Sequence, residues 1–251
     1  MGEPIIQTRD LTINFGGHTA VDHVSLDIQP KTFTSIIGPN GAGKTTYFNL
    51  ISGLLKPSEG QVFFKGVDIT NLPPEKRVRM GMGRCFQITN VFPNLTTIEN
   101  VRLAVQAKAG VFYNVFTHYL KFSQLQEKAM EILDRVSLTD KAYALARSLS
   151  HGEKRKLEIA IVLALEPEIL LLDEPTAGMS LEEVPIILDL LAKLKAERNN
   201  TILLVEHKMD MVLSLSDELI VLFNGALLEK GDPQYIMRNE QVQKAYLGGM
   251  A

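Results

Sequence analysis

The chain has 251 residues, of which 45% are hydrophobic and 22% are charged, and its formal net charge is -3. This length and apolar content suit one α/β domain with an insertion, or two modest lobes. The balanced charge excludes a polybasic nucleic-acid surface, so no nucleic-acid partner is expected. The single cysteine, Cys85, excludes an intramolecular disulfide. The sequence shows no signal peptide and no apolar run near the ~20 residues of a membrane span, so we expect a soluble chain that docks onto a membrane-spanning partner.

The first part of the chain predicts β-strands, because short apolar or alternating segments are separated by turn residues. These predicted strands cover residues 5–15, 24–28, 33–37 and 61–69. The third of them runs directly into a glycine-rich loop, Gly38–Thr45, and apolar residues at helical spacing follow this loop. The sequence therefore predicts a strand, a glycine loop and a helix in succession.

The middle of the chain predicts helices, and the last third returns to an α/β pattern. Apolar residues recur at three- and four-residue steps between Leu125 and Val136, and residues 153–165 form a second helical segment. Glu168–Asp173 is apolar on both faces, which is typical of a central strand covered by helices. The remaining predicted elements are a helix at 182–197 and strands at 201–205, 218–223 and 226–229. A helical block between strand-rich blocks indicates a helical subdomain inserted into an α/β core.

The glycine loop fits the pattern G-x-x-x-x-G-K-[ST] from Gly38 to Thr45. Its glycines allow backbone N–H groups to surround an anion, and the following helix offers its own unpaired N–H groups and positive dipole end. Lys44 adds a charge for the β- and γ-phosphates, and the Thr45 hydroxyl is placed to bind Mg²⁺. An ordinary glycine turn needs neither the Lys-Thr ending nor this context. The predicted ATP-binding residues of the loop are Asn40, Gly41, Gly43, Lys44, Thr45 and Thr46.

Two carboxylates, Asp173 and Glu174, end the apolar strand that begins near Ile169. Asp173 is placed to hold Mg²⁺ directly or through water. Strand alternation points Glu174 the other way, where it can act as general base on an attacking water. Without the other motifs, the pair would also fit a helix N-cap followed by a second carboxylate that the helix dipole stabilises. Beside a phosphate loop, it predicts a nucleotide-hydrolysing site.

The segment Leu149–Glu153 resembles the ABC signature, usually written LSGGQ, and it opens a helix that leads into the acidic strand. The resemblance to the ABC ATPase family covers almost the whole chain. It implies a P-loop NTPase (RecA-like) α/β core with an N-terminal antiparallel β subdomain and an inserted α-helical subdomain. On this basis residues 1–90 and 165–251 form the nucleotide-binding core, and residues from about 91 to 164 form the helical subdomain.

In that family the signature of one subunit closes over the γ-phosphate held by the other, in a head-to-tail dimer. The residues that would act in trans are Ser150, His151, Gly152 and Glu153. His151 stands where glycine is commonest, and Glu153 stands where glutamine is. Ser150 and Glu153 also form the pattern of a capping box, and both interpretations use the same N–H groups. Ser180, in the D-loop, replaces an aspartate of many family members.

The resemblance assigns further roles by the order of the motifs. Gln87 matches the Q-loop glutamine, which senses Mg²⁺ and the attacking water, and His207 matches the switch histidine at the γ-phosphate. Phe15 matches the aromatic residue that stacks on adenine, although a core strand residue is an alternative, and Val21 flanks the base. The implied catalytic residues are Glu174, His207 and Gln87, and the implied Mg²⁺ ligands are Thr45, Gln87 and Asp173.

Several segments resemble the LivG-type subunit of branched-chain or hydrophobic amino-acid importers. They include Phe15-Gly16-Gly17, Asp68-Ile69-Thr70, Arg84-Cys85-Phe86-Gln87 and Ala177-Gly178-Met179. This type implies a peripheral ATPase at the cytoplasmic face of the inner membrane. Its partners are a second ABC ATPase, membrane permeases and, indirectly, a substrate-binding protein. Urea-importer and lipopolysaccharide-export ATPases are the alternatives, and homodimer and heterodimer both stay open. For the aromatic segment 109–122, packing on its own subdomain is favoured over a permease contact.

Overall fold

The computed structural model describes residues 2–85, 91–110 and 118–248. Contacts divide the chain into two compact units. The first unit comprises Met1–Met82, Glu168–Glu174 and Leu194–Ala251, and the second comprises Gly83–Pro167 and Pro175–Lys193. No helix within the described ranges is both long enough and apolar enough to cross a bilayer.

The described residues form strands and helices with the following bounds. The strands are β1 Ile6–Phe15, β2 His18–Ile28, β3 Phe33–Ile37, β4 Glu59–Phe64, β5 Val67–Asp68, β6 Met82–Cys85, β7 Ile169–Asp173, β8 Thr201–Val205, β9 Glu218–Phe223 and β10 Ala226–Gly231. The α-helices are α1 Lys44–Ser52, α2 Pro74–Arg79, α3 Thr97–Lys108, α4 His118–Arg135, α5 His151–Leu163, α6 Val184–Glu197, α7 Met209–Leu215, α8 Pro233–Arg238 and α9 Glu240–Gly248.

The first unit contains an antiparallel sheet with the strand order β2-β1-β4-β5. It also contains five strands of a second sheet, in the order β10-β9-β3-β8-β7. In the second sheet β3 pairs in parallel with β8 and β9, and β7 pairs in parallel with β8. Every residue of β3, β7 and β8 is buried, which explains their continuous apolar sequences. Since these strands are parallel, their carboxyl ends meet at one edge, followed by Gly38, Glu174 and Glu206.

The second unit is mainly helical, and α3, α4 and α5 pack against one another in it. Helix α3 begins where the Thr96 side chain accepts a hydrogen bond from the Glu99 N–H group, which is a typical N-cap. Ile98, Val101 and Val105 form its buried face at helical spacing. Strand β6 leads from the first unit into the second, and its residue Gly83 leaves no room for a Cβ beside Val162.

The predicted strands and the predicted helices are present, with several differences. Strand β2 begins at His18 instead of residue 24, and strand β6 was not predicted. The expected strand at 61–69 is a hairpin, because the turn at Lys65-Gly66 separates β4 from β5. The helices α2, α7 and α8 were not predicted, because their six or seven residues are too few for helical periodicity to stand out. Helix α9 was not predicted either, although it has nine residues, as α1 has. The aromatic segment lies partly outside the described residues, which exclude 111–117.

The sequence assigns residues 83–85 to the core, but contacts place them in the second compact unit, and the same holds for the segment 175–193. The physical reason is that this segment is bonded to α5. Arg155 donates from Nε to the Pro175 carbonyl at 3.2 Å, and the Gly152 N–H group donates to Glu183 at 3.1 Å. The domain assignment as such stays a prediction.

Candidate functional site

The glycine loop is held open by close backbone approaches that only glycine tolerates. A Cβ at Gly38 would lie 2.2 Å from the Leu222 carbonyl oxygen, and one at Gly43 would lie 2.4 Å from the Ala20 carbonyl oxygen. Gly43 also has a φ of 94°, in the left-handed region, and it is the N-cap of α1. The loop therefore presents its backbone at the start of α1, as an anion site requires.

Lys44 is the first residue of α1, and its side chain turns back over the loop. Its Nζ donates to the Gly38 carbonyl at 2.7 Å and to the Pro39 carbonyl at 2.9 Å. Burial lowers the pKa of Lys44, and the negative charges of Glu174 and Asp173 oppose this shift. The ammonium group is thus fixed at the loop, where it interacts electrostatically with the carboxylates at the end of β7.

The acidic end of β7 meets the end of β8 in the same sheet. Asp173 is buried and pairs with Val205, and the Glu174 N–H group continues the ladder by donating to the Val205 carbonyl at 2.9 Å. Beyond β8, His207 Nε2 lies 2.9 Å from Glu174 Oε1. These parallel neighbours bring together residues that are 33 positions apart in the sequence.

The predicted orientation of Glu174 needs a correction. We expected strand alternation to direct its side chain, but β7 ends at Asp173 and Glu174 has a φ of 45°. This left-handed backbone conformation, which is uncommon for a residue with a side chain, sets the direction of the carboxylate instead. Such strain is often found at functional sites.

The loop, Glu174 and His207 surround one open cleft of about 380 Å³ in the first unit. Its lining residues are Phe15, His18, Ala20, Asn40, Gly41, Ala42, Gly43, Lys44, Thr45, Thr46, Glu174 and His207. Every residue predicted from the glycine loop is therefore brought to the cleft. Phe15, at the end of β1, is 50% exposed, so it is not a core residue, and its ring is available at the cleft.

Three predicted residues are not among the described residues that line the cleft, namely Val21, Asp173 and Gln87. Asp173 is buried at the end of β7, and its negative charge acts on Lys44. Val21 is fully buried in the core opposite Ile13, because β2 alternates and turns Ala20 and His18 to the cleft instead. That alternation was the signal by which the sequence could have identified Ala20. Gln87, with its neighbours at 86–90, lies outside the described residues.

The signature segment forms the capping box at the start of α5. Ser150 Oγ accepts from the Glu153 N–H group at 3.2 Å, and Glu153 Oε2 accepts from the Ser150 N–H group at 2.8 Å. Ser150 and His151 are exposed, whereas Gly152 is buried. Glu153 therefore completes the cap, a role that glutamine at this position would also fill.

The cleft matches the chemistry of a nucleotide phosphate with Mg²⁺. A glycine cradle without space for Cβ atoms, a fixed ammonium group and a helix start provide positive potential. The Thr45 hydroxyl and the Asp173 carboxylate are hard oxygen donors, which Mg²⁺ prefers. Glu174 and His207 add a hydrogen-bonded acid–base pair.

Comparison with known proteins gives concordant results. The family model "ABC transporter" matches residues 21–177. The high-affinity branched-chain amino acid transport ATP-binding protein LivG of Escherichia coli (strain K12) is 39% identical, over 99% of this chain and 99% of the relative. The LivG-type resemblance is thereby confirmed.

Two solved structures show the same fold. The ADP conformation of MJ1267, an ATP-binding cassette of an ABC transporter, has a TM-score of 0.83 and 30% identity, and it covers 98% of this chain and 100% of that one. A dimeric post-hydrolysis state of the ATP-binding cassette MJ0796, bound to ADP and Pi, has a TM-score of 0.75 and 28% identity, over 91% and 98%. The predicted fold class is confirmed, and the chain belongs to the ABC transporter family of ATP-binding cassettes.

Proposed function

We propose that this chain binds ATP with Mg²⁺ in the cleft and hydrolyses it to energise an importer of branched-chain or other hydrophobic amino acids. The observation that carries the proposal is the meeting of three groups at one sheet edge. The Lys44 ammonium group, the Glu174 carboxylate and the His207 ring line the same cleft, and Glu174 Oε1 lies 2.9 Å from His207 Nε2.

The residues of the loop bind the phosphates. N–H groups between Asn40 and Thr46 surround them, and Lys44 neutralises the β- and γ-phosphates. Thr45 and Asp173 would hold Mg²⁺, which would neutralise negative charge on the phosphate oxygens. Phe15 stacks on the adenine ring, which its half-exposed position at the cleft supports. Gln87 as a further Mg²⁺ ligand stays a prediction.

Hydrolysis then proceeds by attack of water on the γ-phosphorus. Glu174 accepts the water proton as general base, the bond from phosphorus to the bridging oxygen breaks, and ADP and inorganic phosphate leave. His207 donates a hydrogen bond to Glu174 and so holds the carboxylate in place until the γ-phosphate is available to it. Lys44 stabilises the charge on the equatorial oxygens throughout.

A second cassette completes the site. Ser150 and Gly152 contact the γ-phosphate of the partner subunit, with His151 and Glu153 beside them, as the family resemblance implies. The dimeric state of MJ0796 with ADP and Pi supports this arrangement. In the same proposal, residues 1–90 and 165–251 act as the nucleotide-binding core, and residues from about 91 to 164 act as the helical subdomain.

The transport role follows from the relatives. LivG is named for branched-chain amino acid transport, and its sequence aligns along nearly the whole chain. We therefore place the chain at the cytoplasmic face of the membrane, on permease subunits that receive their substrate from a binding protein. A urea-importer ATPase and a lipopolysaccharide-export-type ATPase stay the alternatives.

The site is tested by substitution of Lys44. Lys44→Ala should weaken ATP binding about 100-fold, because a charge-assisted contact to the phosphates is lost. Lys56→Ala is the matched control, since Lys56 is exposed and lies outside the cleft. The measurement is a titration with a fluorescent ATP analogue. Equal affinities for the two variants would contradict the assignment of the cleft.

The transported substrate is tested in proteoliposomes that contain the chain with its permeases and binding protein. We expect ATP-dependent uptake of labelled leucine or valine that Lys44→Ala abolishes. Uptake of labelled urea without uptake of leucine would move the protein to the urea-importer group.

A further inference from the structure

Glu183, just before α6, bridges two motifs within the second unit. Its Oε1 accepts from the Gly152 N–H group at 3.1 Å. Its Oε2 accepts from the Ser180 N–H group at 3.2 Å and lies 3.3 Å from the Ser180 hydroxyl. The hydrogen bond from Gly152 has the largest effect in lowering the pKa of Glu183, and the bonds from Ser180 add to it. The carboxylate is therefore ionised where it meets the start of α5. The signature and the D-loop thus share one anion.

Three N–H donors at the start of α5 are already committed within the chain. The capping box takes the N–H groups of Ser150 and Glu153, and Glu183 takes that of Gly152. In the proposed dimer, however, the Gly152 N–H group is a donor to the γ-phosphate of the partner subunit. A single N–H group donates well to one acceptor at a time, and two anions at one helix start repel each other.

We infer that Glu183 is a gating carboxylate, which occupies the phosphate-binding N–H group of the signature and leaves it when the γ-phosphate of the partner subunit arrives. This inference rests on the proposed trans role of Ser150 and Gly152. Glu183 acts through Gly152 and is therefore a positioning residue, not a catalytic one.

The same movement releases the D-loop. Because Glu183 also holds the Ser180 N–H group, occupation of the signature frees both ends of the bridge together. Pro175 stays attached to α5 through Arg155, so the change is confined to the short segment between Pro175 and Glu183. Gly178, in this segment, has a φ of 73°, a left-handed conformation that glycine adopts without strain.

The gate is tested by comparing Glu183→Gln with Glu182→Gln in the protein that turns over ATP, alone or with its partner cassette. Both changes remove one negative charge from neighbouring positions, but only Glu183 contacts Gly152. We expect Glu183→Gln to lower the ATP concentration for half-maximal turnover about fivefold, without loss of kcat, because the competing anion is gone. Glu182→Gln should leave it unchanged.

A purely structural role predicts the opposite direction. Loss of a supporting contact would raise the half-maximal ATP concentration or reduce kcat, and either result, like no change at all, would overturn the inference. Failure of the proposed trans role of the signature gives a different result. In that case the Ser150→Arg single variant, with Glu183 unchanged, would hydrolyse ATP at the wild-type rate.

Amide exchange measures the contact without any turnover. In the nucleotide-free protein, Glu183→Ala should accelerate hydrogen exchange at the Gly152 and Ser180 amides together, about tenfold, whereas Glu182→Ala should not. Equal exchange at Gly152 in the two variants would show that Glu183 does not occupy this donor, and would overturn the inference.

Discussion

At the scale of single residues, the chemistry depends on Glu174. Its left-handed backbone directs the carboxylate to His207, and its backbone N–H group remains part of the sheet. The side chain is only 23% exposed, so few water molecules compete for it. A strained residue that is fixed on both sides is well suited to position one water molecule.

Replacement of Glu174 by glutamine separates binding from turnover. Glu174→Gln keeps the shape of the side chain but cannot accept a proton, so we expect ATP binding to persist and turnover to fall about 100-fold or more. Phosphate release and nucleotide affinity are the two measurements, with Glu182→Gln as control. Phosphate release at the wild-type rate would remove Glu174 from the role of general base.

At the scale of elements, the glycine loop and α1 depend on contacts that are distant in sequence. The loop is confined by the Ala20 and Leu222 carbonyls, and the other end of α1 is closed by Arg77. The buried guanidinium group of Arg77 donates to the carbonyls of Leu50, Ile51, Thr70 and Leu72. Both ends of the phosphate-binding helix are thus fixed by other elements.

A methyl group at Gly43 should disrupt the loop. Gly43→Ala forces a Cβ to 2.4 Å from the Ala20 carbonyl and strains a φ of 94°, so we expect a loss of about 2 kcal/mol in stability together with loss of ATP binding. Gly17→Ala is the control, because a Cβ there meets nothing within 4 Å. Urea unfolding and ATP titration report the two effects. A Gly43→Ala protein with normal ATP affinity would argue against the cradle.

Removal of the Arg77 cap should affect stability more than chemistry. Arg77→Met leaves several buried carbonyls without a donor, and we expect a loss of about 3 kcal/mol in the free energy of unfolding. Arg79→Met, on the exposed side of α2, should change it by less than about 0.5 kcal/mol. Urea unfolding measures both. Similar stabilities for the two variants would show that Arg77 does not secure α1.

At the scale of the whole molecule, the phosphate loop and the signature belong to different compact units. The first unit contains the cleft with Lys44, and the second contains α5 with Ser150. If each ATP site is completed by the partner subunit, the number of damaged sites depends on where the defects lie. A loop defect and a signature defect damage one site when they are in different subunits and two sites when they are in the same subunit.

Hybrid dimers decide this point. With Ser150→Arg in one subunit and Lys44→Ala in its partner, the head-to-tail model places both defects in one site and leaves the other intact. We therefore expect about the activity of a dimer with a single Lys44→Ala subunit. With both changes in one subunit, both sites are damaged and turnover should be lost. The reverse order of activities, measured on tandem-purified hybrids, would rule out completion in trans.

Features that are local along the chain could be predicted from the amino-acid sequence. The phosphate loop, the apolar strand before Asp173 and the capping box at Ser150 each consist of neighbouring residues, so their chemistry and periodicity are visible without a structure. The order of these motifs was enough to predict the fold class. The short helices α2, α7 and α8 were not predicted, because they provide too few turns for a periodic signal.

Contacts between groups that are distant in the sequence could not be predicted from it. Parallel pairing of β7 with β8 brings His207 to Glu174, and the alternation of β2 against the core turns Ala20 rather than Val21 to the cleft. The bond from Gly152 to Glu183 spans 31 positions and follows no motif. Such contacts depend on how whole elements pack, and packing is a property of the folded chain that no local pattern contains.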